Sequence, residues 1–526
     1  RRLPPRLDVV RTSKGEHLTL SYDRAGFRRA LHIECSTSDP RHRPVEFVGS
    51  QLIFELELAH GEEWRCCIHA EVEIDGVVQA FVGDPHGAEL DLMPESAPTL
   101  QSEPLLQLPF DRGSADLRAL AVAAEETPFV SAGVPWFMCL FGRDTLVSAL
   151  MSGVLGAWPA RGALAALGAL QSTTRDDWRD SEPGKLPHEL RRGELAFRKS
   201  IPHTPYYGTH DAPSLYCLTL WNAWRWTGDD SLLDLHMETA KRAMQWCDEL
   251  GDRDGDGLQE YGTRSRLGYY NQSWKDAGDS VLEPTGELVK LPIATIELQG
   301  YLYAARLAMA ELYEHTGDDA EGGRLRDSAS ALRDLVEERY WMEDEGLYAI
   351  ALDGDKQPVR TVSSNPGHLL WCGLPSPERA RRSVQRLVAD DMFSGWGLRT
   401  MSSKHPRYNP MAYQRGSVWP HDTMLCAAGM VRYGHDDLAA MLVQGMLEAA
   451  CAFEASRLPE LFCGIERELG GPVPYAEANV PQAWAAASAP LAVQLFLGAV
   501  PDAVNGRCYL DPRLPDWLPR LEIDGV

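Results

Sequence analysis

This chain has no apolar stretch approaching the ~18–20 residues that a bilayer-spanning helix needs, so no membrane span is expected. It opens on Arg1 rather than Met and shows no basic-then-apolar leader pattern. None of its 11 cysteines forms a C-x-x-C pair, and only Cys66 and Cys67 are adjacent. Neither a zinc site nor a disulfide framework is predicted, and reduced thiols in a cytoplasm are the expected state. Basic charge is short: 51 Lys and Arg face 76 Asp and Glu, for a net charge of −25. That excess argues against nucleic acid or an anionic membrane as partner, because phosphate recognition needs a basic face. By itself the acidity reads as solubility. No pattern requires a metal or cofactor, and none speaks to oligomeric state.

What the chain does have is a repeated turn. TGDD at Thr227–Asp230 and at Thr316–Asp319, and YGHD at Tyr433–Asp436, each separate two apolar segments of helical period. The Gly suits the left-handed position that ends a helix, and the Asp after it suits the cap of the next. A chain that repeats helix, tight turn, helix, long loop stacks antiparallel helical hairpins. An outer set of helices is predicted from near Leu117, Arg161, Ser231, Asp319, Pro377 and Asp436. An inner set is predicted from near Asp144, Asp211, Ile293, Asn365, Gly416 and Pro481. Two such sets close as an (α/α)6 toroid; an open superhelix of hairpins is the alternative. The loops before the inner helices (175–210, 251–292, 391–415 and 454–480) are long and rich in Trp, Tyr, Asp and Glu. Loops of that length in a compact domain are usually functional.

At 526 residues and 44% hydrophobic content, a large domain with an accessory one is expected. Residues 1–92 alternate apolar and polar positions, as in Leu18-Leu20-Tyr22, Leu31-Ile33-Cys35, Leu52-Phe54-Leu56-Leu58 and Trp64 to Ile74. That is the half-buried strand signal, and several in a row suggest an N-terminal β-sandwich domain, incomplete here. Residues 93–113 carry four prolines and read as a surface linker. Residues 114–500 make the mainly α toroid, and 501–526 an extended tail whose last strand could pair with the β domain.

An acidic funnel rich in aromatics suits a neutral polyhydroxylated substrate, since sugar ring faces stack on Trp and hydroxyls bind carboxylates and Arg. Cleaving a glycosidic bond takes two carboxyl groups, one protonated and one acting as base or nucleophile. Two loop carboxylates stand out. Asp276 lies in NQSWKDAGDS (Asn271–Ser280), after Trp274 and Lys275, where an aromatic neighbour would disfavour the charged form as a general acid requires. Asp279 competes with it locally, and in isolation either would more often be a cap or a solvated residue. Glu460 lies in RLPELFCG (Arg457–Gly464), before the last inner helix, and alone it could simply be exposed.

Taken together, PWFMCLFGRDTLVSALM (Pro135–Met151), GDGLQEYG (Gly255–Gly262), NQSWKDAGDS, FSGWGLRTMSS (Phe393–Ser403), YNPMAYQRGSVWPHD (Tyr408–Asp422) and RLPELFCG resemble the bacterial and archaeal glycogen-debranching, amylo-α-1,6-glucosidase-like family. More distantly the chain is similar to other α/α-toroid glycosidases, among them trehalases, glucoamylases and mannosylglycerate hydrolases. The resemblance spans roughly 115–526. It implies Asp276 as general acid, Glu460 as general base, and Arg143 with Asp144 gripping hydroxyls of the −1 sugar. It also implies inversion at the anomeric carbon, which needs a carboxyl separation of roughly 6.5–9.5 Å against ~5–5.5 Å for retention. The ring agrees, because Asp276 precedes the third inner helix and Glu460 the opposed sixth.

Other candidates are weaker. Trp136, Phe141, Trp274, Trp396 and Trp419 are sugar platforms or core. Asp211, beside His210, touches a hydroxyl or caps its helix. Tyr413 and Gln414 precede an inner helix and face the same mouth, and Lys275 accompanies the acid. His188 and Glu189 sit in a long loop read as a lid. Asp252, Asp254 and Asp256 copy the start of a calcium loop, but Thr263 stands where an EF-hand has Glu. A structural turn is the expected reading, with Glu260 and Tyr261 after it as pocket residues. Gln414-Arg415 and Asn479-Val480 depart from the pattern the family shows beside Gly-Ser-Val-Trp-Pro and Pro-Gln-Ala-Trp. The expected activity is an inverting α-glycosidase on an oligo- or polysaccharide, an α-glucan first and an α-mannoside second. A non-catalytic carbohydrate-binding protein is the alternative outside catalysis. A sugar epimerase on the same toroid would need a central histidine pair that His188, His210 and His421 do not suggest.

Overall fold

The computed structural model describes residues 10–14, 17–37, 46–48, 51–78, 97–124 and 127–526. The chain divides into two units, one of residues 1–90 with 193–198, the other of 91–192 with 199–526.

The first unit is an antiparallel sheet of β1 (Val10–Lys14), β2 (His17–Arg24), β3 (Phe27–Thr37), β6 (Cys66–Ile74) and β7 (Val77–Val78), in that spatial order. A separate hairpin joins β4 (Glu46–Val48) to β5 (Gln51–Ile53). Of the sandwich expected from the alternation, the described residues show this sheet and this hairpin. The alternation from Leu52 to Leu58 does not continue as a strand beyond Ile53. Leu56 and Leu58 are exposed, so that pattern has no buried face to hold it in a ladder. A single turn of helix from the loop at 193–198 belongs to this unit, with Phe197 against Phe27 and Glu194 accepting from the Tyr22 hydroxyl.

The second unit is a ring of twelve helices. The outer ones are α1 (Pro104–Ala119), α3 (Trp158–Gly168), α5 (Ser231–Trp246), α7 (Asp319–Arg339), α9 (Pro377–Leu387) and α11 (Asp436–Ala452). The inner ones are α2 (Gly142–Met151), α4 (Ala212–Thr227), α6 (Ile296–His315), α8 (Pro366–Cys372), α10 (Pro420–Arg432) and α12 (Ala483–Ala486, continuing as Ser488–Leu497). Each inner helix packs on the next and α12 packs back on α2, so the ring closes and the open superhelix is excluded. Outer helices bury one stripe: α5 hides Leu232, Leu233, Met237, Ala240, Ala243 and Met244. The inner α2 is buried on nearly every residue.

The repeated turns behave as their residues dictate. Gly228, Gly317 and Gly434 all have positive φ. Asp318 accepts from the Glu321 amide and Asp229 from that of Ser231, while Asp436 instead lies in the first turn of α11.

One boundary differs markedly. The segment read as a linker contains a strand, Thr99–Ser102, and most of α1, which starts at Pro104 rather than near Leu117. Pro104 sits where a helix tolerates it, and the burial of Leu106, Phe110 and Leu117 outweighs the interior Pro109. Gly113 makes the closure possible, since a Cβ there would lie 2.2 Å from the Ala486 carbonyl oxygen. The tail strand, Leu521–Asp524, pairs with Thr99–Ser102, not with the sheet of the first unit.

Candidate active site

The loops entering the inner helices surround a cavity of about 600 Å3. Its walls bring together Trp136, Phe141, Arg143, Asp144, Trp274, Asp276, Gln414, Trp419 and Glu460 among the residues singled out in the sequence. Tyr413 and His188 also line it.

Glu460 is almost wholly buried and held by neutral donors. Its Oε1 accepts from the Tyr413 hydroxyl at 2.6 Å. Its Oε2 accepts from both the backbone amide and the side-chain amide of Asn479, at 3.0 and 2.7 Å. Two donors fill the lone pairs of Oε2, whereas Oε1 keeps one. Burial pushes the Glu460 carboxyl above the usual range, against the pull of these hydrogen bonds.

Asp276 is held by charge. Arg143 donates through Nη2 to Asp276 Oδ2 at 2.7 Å and through Nη1 to Asp211 Oδ2 at 2.7 Å and the Ser273 carbonyl at 2.8 Å. The His188 Nε2 lies 3.4 Å from the same Asp276 oxygen. Burial disfavours the guanidinium charge, yet Asp211 and Asp276 together raise the Arg143 pKa further. Asp144 accepts from Gln482 Nε2 at 2.8 Å. Burial, reinforced by Glu460 and Asp276 and opposed by Arg143, pushes its carboxyl up to about 7.

Four proposed binding residues do not line the cavity. Asp211 lies behind Arg143 and also accepts from the Thr209 hydroxyl, so its position at a helix start serves the guanidinium. Lys275 points away from Asp276 to the Thr400 carbonyl, and burial pushes its ammonium down to about 8. Glu260 pairs with Lys356, whose ammonium also lies 3.2 Å from Asp254 and 3.1 Å from Asp256. The calcium-like loop thus meets an internal cation, while Asp252 accepts from the amides of Gly255, Asp256 and Gly257. Trp396 is buried under Arg467. His188 and Glu189 form no lid: both are buried, and Glu189 pairs in a short ladder with Phe141. His210 and Tyr261 are core residues, the latter bonded to Asn271.

The aromatics divide by exposure. Trp136 stands 58% exposed at the mouth, while Trp274 and Trp419 are 1% exposed and close the floor. Trp274 stacks parallel to His368, and His421 stacks on Trp484. His368 engages Tyr301 and Asp422 through its two nitrogens, and the nearby Cys426 thiol donates to the Ser364 carbonyl, so in the cluster of His368, Asp422 and Cys426 both imidazole nitrogens are already taken.

Both departures from the family pattern turn out to grip the two loop carboxylates' surroundings. Gln414 accepts from the Ala277 amide and donates to the Trp274 carbonyl, bracketing Asp276. Arg415 pairs with Asp279. Asn479 orients Glu460 and also accepts from the Trp136 amide at 3.0 Å. Sequence reasoning missed Tyr269, Tyr475, Glu477 and Trp484 as lining residues and Gln482 as the partner of Asp144. A Gln immediately before an inner helix, aligned with the others at that end, was the available signal for the last.

A family model described as the mannosylglycerate hydrolase MGH1-like glycoside hydrolase domain matches residues 166–463. Among solved structures, the GH63 mannosylglycerate hydrolase of Thermus thermophilus in complex with Tris and D-glycerate aligns with a TM-score of 0.53 at 15% identity, over 73% of this chain and 99% of that one. The same enzyme in complex with glucose gives 0.54 at 16%, over 72% and 98%. An uncharacterized conserved protein of that organism gives 0.55 at 16%, over 73% and 99%. These likenesses bear on the fold. No curated protein matches by sequence.

Proposed function

The chain belongs to the MGH1-like glycoside hydrolase family, and from that premise we propose an inverting α-glycosidase with Asp276 as general acid and Glu460 as general base. The observation that carries this is the single free lone pair on Glu460. A water donating to Oε1 is the one partner its fixed carboxylate has left to take. In the single displacement, that water's oxygen bonds to C1 and its proton passes to Glu460. The C1–O bond to the leaving group breaks as its oxygen takes the proton of Asp276. Because Asp276 Oδ2 accepts from Arg143, the proton to be delivered sits on Oδ1. Arg143 fixes the direction of that delivery.

The substrate is an α-linked saccharide. The family's description names a mannosyl glycoside, which puts an α-mannoside ahead of the α-glucan first expected. Glycogen-type debranching has no support in that description.

Proton NMR of the first-formed sugar decides the stereochemistry. A β-anomer from an α-glycoside is the expected result, and an α-anomer appearing first would overturn single displacement.

A further inference from the structure

The aglycone is the half of the substrate that the family's description sets as glycerate, a carboxylate. Such a group needs an unengaged cation or a set of free donors to meet it. The cavity walls carry four carboxyl groups against one guanidinium, Arg143; with Asp276 holding the proton it delivers and Asp144 shifted toward its neutral form by burial, Glu460 and Glu477 remain as the negative groups an incoming carboxylate would meet. Arg143 is already shared between Asp211 and Asp276. His188 lies with its Nε2 3.4 Å from Asp276 Oδ2 and 3.3 Å from the Arg143 Nη2, so it is already engaged by that pair.

Among the described residues, Arg191, Arg415 and Lys275 also adjoin lining residues, and each is committed elsewhere. Arg191 lies over the rings of Phe137 and Phe141, donates to the Trp136 carbonyl, and is paired with Glu189 at 2.5 Å. Arg415 is paired with Asp279 at 3.0 Å. Lys275 bonds the Thr400 carbonyl beneath the floor. Glu477, by contrast, is exposed at the rim and forms no ion pair among the described residues.

Beside Glu477, the mouth offers ring faces. Trp136 is its most exposed aromatic, joined on the cavity wall by Phe137, Tyr269 and Tyr475. Resting on the glycosidase reading above, we infer that the leaving-group side of this cavity selects an uncharged sugar ring and rejects a carboxylate-bearing aglycone such as glycerate.

The test is a kcat/KM comparison of α-linked mannose and glucose disaccharides of each linkage with α-mannosylglycerate and α-glucosylglycerate. The best neutral disaccharide is expected to exceed both glycerates by about 100-fold or more, since like-charge juxtaposition is costly. Glu477→Gln should narrow that gap, and Trp136→Ala should raise KM for the disaccharide more than it lowers kcat. A glycerate substrate cleaved as well as any disaccharide overturns the inference while leaving the glycosidase reading intact. If nothing is cleaved, the glycosidase reading fails, and calorimetry still decides the charge question. D-glycerate binding as tightly as the cationic polyol Tris would overturn the inference, and weaker or undetectable glycerate binding would support it.

Discussion

The loops at 271–280 and 457–464 look alike in sequence, each a carboxylate ahead of an inner helix, yet they hold their carboxylates by opposite means. Glu460 is fixed by three neutral donors and is 2% exposed. Asp276 keeps a quarter of its side chain exposed and is tied to a guanidinium that is itself tied to Asp211. Neutral donors orient a carboxylate without cancelling its charge, which suits a group that must draw a proton from water. A charged partner instead couples Asp276 to everything that moves Arg143. On this reading, rigidity belongs to the base and adjustability to the acid.

The comparison breaks most cleanly at the carboxylates themselves. Asp276→Asn and Glu460→Gln are each expected to lower kcat by about 10²–10⁴-fold with the fold retained, the usual worth of one acid or base. Unchanged turnover by either variant on a substrate the parent hydrolyses removes that residue from the chemistry. Asp211→Asn comes next: freeing Arg143 should cut kcat about 10–100-fold, the usual range for loss of an orienting outer partner. It should also shift the pH–rate profile on the limb that reports the acid, which a merely structural residue would not do. Tyr413→Phe, on the other side, removes one donor of three and is expected to cost only about 10-fold. A larger loss from Tyr413→Phe than from Asp211→Asn would reverse the assignment of rigidity and adjustability.

The smallest effect is on stability. Asp144 goes from an ordinary 3.8 to about 7 on folding, so the folded state holds a proton the unfolded chain has released. The contribution of Asp144 to stability is therefore full below about pH 4 and is lost as pH rises toward 7, with the raised Glu460 contributing in the same direction. Asp144→Asn should flatten that part of the Tm-against-pH curve, and an unaltered slope would show that Asp144 is charged at neutral pH.

Much of the ring was legible because its signals are local. A Gly at a left-handed position between two periodic segments determines a hairpin without reference to anything distant, and Gly228, Gly317 and Gly434 are such positions. Helix α1 was hidden because its prolines speak locally while the burial that overrules them comes from α12. The site divides the same way. Asp144 lies in the first turn of α2 and Asp211 just ahead of α4, and only the folded ring puts one on the cavity wall and the other behind Arg143. Glu260 reads as a pocket residue until Lys356, far along the chain, claims it. Gln414 and Asn479 were noticed as departures, but only the folded loops show that they grip the neighbours of one carboxylate and the oxygens of the other.

The pairing of Leu521–Asp524 with Thr99–Ser102 places the strands that bracket the ring side by side. Topologically, then, the twelve helices have no first member; the genetic order is one of several equivalent ways of cutting a circle. Joining those strands and opening the chain at the tight turn of Thr316–Asp319 would leave every inner helix with the same neighbours. Asp276 and Glu460 would exchange their order in the gene and keep their places across the cavity.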